Sequence, residues 1–144
     1  MIVSAILKRK GSQVVAVAPE DTIAQVTRTL AQHRIGAALV KGADGAMLGI
    51  ISERDIVRGM ASQGQGTSQL PARQLMTGDV LTIAPQTTVN TAMALMTDRR
   101  VRHLPVFDEG RLVGMVSIGD LVKARIEEIE QEAEALKHYV VSGG

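Results

Sequence analysis

The chain switches between a two-residue and a helical hydrophobic period in a fixed order, and it does so twice. Val14-Val15-Ala16-Val17-Ala18 is a short β-rich run stopped by Pro19. Ile23, Val26 and Leu30 then recur at helical spacing, with Thr22 placed to cap the helix and His33-Arg34 at its C-terminal end, where basic residues suit the dipole. AALVK, a turn at Ala43-Asp44-Gly45 and MLGIIS read as a hairpin, and a second helix follows Ser52. The order returns with VLTIA, Pro85, a cap at Thr88, the helical series Val89, Ala92, Met93 and Met96, basic Arg99-Arg100, RHLPVF, a turn at Asp108-Glu109-Gly110, LVGMVS and a helix after Ser117.

Val17 to Val40 lies over Ile83 to Val106 at an offset of 66, and Asp55 over Asp120 at 65, so one residue is lost from the intervening turn. The fold class is α+β, a mixed α/β type with two repeated β-α-β-β-α units. One unit is too small to bury its sheet comfortably, so the two are expected to pack together. GQGTSQLPARQ carries the turn formers of a linker. The expected division is 1–66 for the first repeat with its N-terminal lead-in and 67–144 for the second, with LMT opening the second lead-in.

The last helix runs well past its counterpart in the first repeat. Val122, Ile126, Ile129, Ala133, Leu136 and Val140 alternate spacings of four and three, the seam of a short coiled coil. Folding back on the body is one way to cover that stripe. A second subunit is the expected one, giving a homodimer.

Composition narrows the chemistry. The 144 residues carry 16 basic and 15 acidic side chains, so no net field draws the chain to nucleic acid or to an anionic membrane. No apolar run approaches the ~20 residues of a membrane span, and MIVSAILKRKG has its basic residues on the wrong side for a secretory signal. A cytoplasmic location is expected. Zero cysteines exclude disulfides, thiolate nucleophiles and cysteine-held zinc, and His33, His103 and His138 lack ligand spacing with carboxylates, so no metal is expected. With one Phe and one Tyr, a bound base would have to be sandwiched by aliphatic side chains and backbone.

The candidate site rests on two matching motifs, GIISERD at Gly49–Asp55 and GMVSIGD at Gly114–Asp120. Taken alone, Ser52 with Asp55 and Ser117 with Asp120 are capping boxes. The same geometry also offers a helix N-terminus to a phosphorylated ligand and a carboxylate to the vicinal hydroxyls of a ribose. A nucleotide needs cations besides. The second repeat has Arg99, Arg100, Arg102 and His103 within five positions, followed by Pro105, where a proline suits an irregular or edge strand. Arg102 and His103 can serve one phosphate only where the backbone bends between them. The first repeat has Gly36-Ala37 at the matching places, so two sites cannot be equivalent.

The paired GIISERD and GMVSIGD, the P-x-x-T-[IV] helix starts and RHLPV together resemble a tandem pair of cystathionine β-synthase (CBS) domains, the Bateman module, over almost the whole chain. The resemblance implies a CBS-domain pair that binds an adenosyl ligand in clefts between the repeats: AMP, ADP, ATP, NAD, NADH or S-adenosylmethionine. It implies ribose binding by Asp120 with Ser117 and by Asp55 with Ser52. Phosphate-binding basic residues of the AMP-activated protein kinase regulatory subunit match Arg102 and His103, and Thr82 matches a position that meets the base. Arg54 and Lys10 are further candidates for reaching phosphate, and Arg100 and Pro105 complete the set.

The expected function is a regulatory sensor of adenine nucleotides without chemistry or a catalytic cofactor of its own, acting on a protein partner that the sequence does not name. Three alternatives stand beside it. A nucleotide-processing enzyme would use Ser117, His103 and Asp120, yet the serine lacks a nucleophile elbow. A nucleic-acid binder would lose affinity steeply with salt. A structural scaffold would ignore nucleotides.

Overall fold

A computed structural model describes residues 1–143. They form two compact units, one of residues 14–80 and one of residues 1–13 with 81–143.

In the first unit β1 (Ala16–Val17) pairs in parallel with β2 (Ala37–Lys41), which pairs antiparallel with β3 (Met47–Ser52). Helix α2 (Ile23–His33) crosses from β1 to β2, and α3 (Glu53–Gln63) follows β3. Thr22 caps α2 through a full capping box with Gln25, as its place before the helical period predicts. The stripe Ile23, Val26 and Leu30 is buried with Val17, Ala38, Val40, Ile51 and Ile56. A 3-10 turn at Gly64–Gln69 and a short helix α4 (Ala72–Leu75) complete the unit.

The second unit repeats the order: α5 (Val89–Arg99), capped by Thr88, then the hairpin β4 (His103–Asp108) and β5 (Arg111–Ser117), then α6 (Ile118–Ser142). Its core joins Val89, Ala92, Met96, Leu104, Val106, Val116 and Leu121.

The packed units do not follow the repeat boundaries. Helix α1 (Val3–Lys10), at the head of the chain, buries Val3 and Ile6 in the core of the second repeat. Its backbone is tied there by Val3 N–H to Thr87 O (2.8 Å), Ser4 N–H to Pro85 O (2.9 Å) and Val89 N–H to Met1 O (3.0 Å). The LMT lead-in expected to open the second repeat packs instead with the first: Ala72 is in that core, Ile23 N–H donates to Leu70 O (2.9 Å), and Thr77 bridges Ile50. Each lead-in thus supplies partners for the orphan amides that open a helix and covers apolar surface beside it.

VLTIA is not a counterpart to β1. It makes one parallel bridge, Ile83 to Val106, with Ile83 N–H donating to Pro105 O (3.1 Å) and Phe107 N–H to Ile83 O (2.9 Å). In the first unit Leu39 N–H donates to Val15 O (3.0 Å) at the equivalent place. Pro105 stands where Leu39 stands and has no N–H to give Leu81, so the ladder ends. The edge path expected at Pro105 is what the structure shows: β4 pairs with β5 alone in a two-stranded sheet whose register shifts between Val106 and Phe107, with the Pro105 side chain fully buried and paired with Met115.

Candidate functional site

The hairpins of both units end in the same joint. Ser52 pairs across the ladder with Ala37, and Ser117 with His103; Glu53 N–H donates to Gly36 O (2.9 Å) and Ile118 N–H to Arg102 O (2.9 Å). One amide at each helix mouth is therefore held by the strand that precedes the hairpin. That constraint aims the following turn, and with it the aspartate, at the end of the sheet.

Both serine–aspartate pairs are capping boxes. Ser52 Oγ accepts from Asp55 N–H (3.2 Å), and Asp55 Oδ2 accepts from Ser52 N–H (2.9 Å) and from its hydroxyl (3.0 Å). Ser117 Oγ accepts from Asp120 N–H (3.2 Å) and Asp120 Oδ2 from Ser117 N–H (2.8 Å). A serine holding a cap in this way is not set up as a nucleophile.

The two carboxylates differ in their other partner. Lys10, the last residue of α1, donates to Asp120 Oδ2 (2.7 Å) and to the carbonyl of Met115 (3.0 Å). Thr77 donates to Asp55 Oδ1 at 3.4 Å, a weak bond. Lys10 precedes Gly11 as Thr77 precedes Gly78, so the donors occupy matching ends of the two lead-ins. Burial pushes the Asp120 carboxyl up, but the hydrogen bond from Lys10, those from the Ser117 amide and hydroxyl, and the lysine charge outweigh it and hold it below its ordinary value. Its side chain is 25% exposed and that of Lys10 37%.

Glycine lets the lead-ins approach. A Cβ on Gly114 would meet the Leu7 side chain at 2.7 Å, and one on Gly49 would meet the Thr77 carbonyl oxygen at 2.5 Å. Lys10, expected as a candidate for phosphate, is bonded here to Asp120, and the matching place of Thr77 is legible in the sequence only as the end of a lead-in that repeats the Lys10-Gly11 step.

Of the predicted site residues, the second unit gathers Lys10, Ser117 and Asp120 by hydrogen bonds and places His103 across the ladder from Ser117. Arg102 lies exposed in a bend just before β4. Arg100 is exposed at the C-cap of α5 with a left-handed backbone (φ 55°), and Thr82 is exposed one residue before the Ile83 bridge. Ser52, Arg54 and Asp55 belong to the first unit, with Arg54 exposed in the first turn of α3. Among the described residues no group of three or more His, Asp or Glu side chains is arranged to hold a metal, and no helix is long and apolar enough to cross a membrane.

The model of the CBS domain family matches residues 3–62 and 72–127. The mitochondrial CBS domain-containing protein CBSX3 of Arabidopsis thaliana is 38% identical over 128 residues, 86% of this chain and 62% of the relative, so the chain spans under two thirds of that protein's length. A CBS-domain containing protein from Agrobacterium tumefaciens, solved by crystallography, is 44% identical, with a TM-score of 0.85 over 86% of this chain and 92% of that one. A CBS domain protein from Pyrobaculum aerophilum, solved as a complex with AMP, is 30% identical, with a TM-score of 0.72 over 83% and 89%. Two family matches laid over two copies of the same capped hairpin leave one conclusion: the chain belongs to the CBS-domain family.

Proposed function

We propose that the protein is a non-catalytic sensor of adenine nucleotides, with the ligand's sugar and phosphate held by the second unit. The observation that carries the reading is the Asp120 cluster. A partly exposed carboxylate at a helix mouth is held below its ordinary pKa and so stays ionised, with His103 across the ladder from its cap and Arg102 in the adjoining bend. The bonds from Lys10 and the Ser117 amide both end on Oδ2, so neither uses Oδ1. That oxygen can accept from a ribose hydroxyl while Lys10 gives way or turns to the phosphate. The interrupted strand beside Pro105 leaves the Leu81 carbonyl without the bond that Val15 receives, which opens backbone next to Thr82 for a base. The AMP complex of the Pyrobaculum relative supports an adenosyl ligand.

The reading extends to a homodimer through α6 and to a regulated protein partner that responds to the occupied state. Ligand can shift such an assembly only by binding its two arrangements with different affinity.

A thermal-shift series with AMP, ADP, ATP, NAD, NADH and S-adenosylmethionine tests it. At a hundred times the dissociation constant a ligand adds ~2.7 kcal/mol, enough to move the melting point by several degrees. Asp120→Ala should weaken binding by about tenfold or more through loss of charge-assisted bonds, and Asp55→Ala by less. If Asp120→Ala lowers the melting point and leaves the ligand increment intact, the carboxylate is only a cap.

A further inference from the structure

Helix α6 outlasts the unit that it belongs to. Leu121 and Ala124 are its buried residues, and every residue from Glu130 to Ser142 is exposed. A free stretch of about 13 helical residues is marginal in water without a partner. The apolar stripe is bare along its whole length: Val122, Ile126, Ile129, Leu136 and Val140 are 39%, 51%, 48%, 65% and 65% exposed, and Ala133 between them is exposed too. It does not fold back on the body.

We propose that α6 pairs with α6 of a second copy as a parallel, in-register two-stranded coiled coil. The proposal rests on the homodimer reading above and adds its orientation. The stripe assigns Val122, Ile129 and Leu136 to d positions and Ile126, Ala133 and Val140 to a positions. Only Leu136 among the three d residues is leucine, so the apolar stripe by itself does not fix the arrangement.

The flanking charges decide direction. In a parallel pair each g residue faces the e residue of the next heptad on the other strand: Arg125 faces Glu130 of the second copy, and Glu132 faces Lys137 of the second copy. Symmetry doubles both pairs, and every one is of opposite sign. In the antiparallel pair of full overlap Lys123 would face Lys137, Glu130 would face Glu130 and Glu132 would face Glu132. Each of those is a like-charge contact. Within its own helix Arg125 donates to Glu128 (2.6 Å) and lies 4.0 Å from Glu132, so the Glu132–Lys137 pair carries more of the discrimination.

The absence of cysteine makes the test clean. Ile126→Cys and Val140→Cys, each made singly in the full chain, place one thiol near either end of the stripe. Mild oxidation should give a disulfide-linked dimer with both, because equal positions adjoin only in the parallel register. Sedimentation of the cysteine-free protein at low salt should show a concentration-dependent dimer. Lys137→Glu should weaken it by about tenfold, and Glu132→Lys with Lys137→Glu should restore it. A dimer that cross-links at neither position overturns the parallel arrangement and leaves the homodimer standing. A monomer at every concentration overturns both.

Discussion

The two repeats share a skeleton and differ in the ladder beside the hairpin, in the donor that each lead-in brings to its aspartate and in the pair of residues at the hairpin's head. In the first unit Leu39 carries the ladder to β1, and the capping aspartate meets only a weak hydroxyl donor on the lead-in. In the second Pro105 cuts the ladder short, the lead-in ends in a lysine bonded to the aspartate, and Arg102 with His103 replaces Gly36 with Ala37. One copy has kept a complete sheet; the other has exchanged strand pairing for open backbone and charge. Loss of a single N–H is enough to make two copies of one skeleton differ in strand pairing.

The ladder is the sharpest place to break this contrast. Leu39→Pro removes the donor to Val15 and a fully buried leucine, and should cost about 3 kcal/mol or more in denaturant unfolding. Pro105→Leu restores a donor opposite Leu81 and should extend the strand, read as slowed amide exchange at residue 105, with a much smaller change in stability. If Pro105→Leu also weakens AMP binding, the open backbone is part of the site.

Next in size are the glycines beneath the lead-ins. Gly49→Ala sets a Cβ against the main-chain oxygen of Thr77, which cannot turn aside, and should destabilise by roughly 1–3 kcal/mol. Gly114→Ala meets only the end of the Leu7 side chain and should cost under about 1 kcal/mol. Equal losses would mean that the two lead-ins are seated alike.

The smallest effect is electrostatic. Lys10→Met removes a pair whose lysine is more than a third exposed, so the loss at neutral pH should be about 1 kcal/mol or less. Because the folded Asp120 is held below its ordinary pKa, its stabilisation is present above the unfolded value of about 4 and lost as pH falls through the folded one. The gap between wild type and Lys10→Met should be flat near neutrality and close in acid.

The repeat, its element order and the capped helices were legible in the sequence because each is a local pattern: a period of two or 3.6, a proline stop, a threonine or serine before a helix. The Ser117–Asp120 and Ser52–Asp55 boxes were legible for the same reason, and the structure bears out their capping geometry. Lys10 was suggested only as a distant charge, since nothing along the chain says that residues 10 and 120 meet.

What the chain order could not convey is which lead-in joins which repeat. The sequence places the N-terminal segment beside the first repeat and LMT beside the second, yet burial of Val3 and Ile6 on one core and Ala72 on the other runs the opposite way. Local periodicity fixes what an element is; the surface left uncovered by distant elements fixes where it goes. The sequence alone determined the duplicated unit and its charged second copy. Tertiary structure decided that Lys10 holds Asp120 and that Pro105 ends a strand, because both depend on contacts between segments that the chain itself keeps far apart.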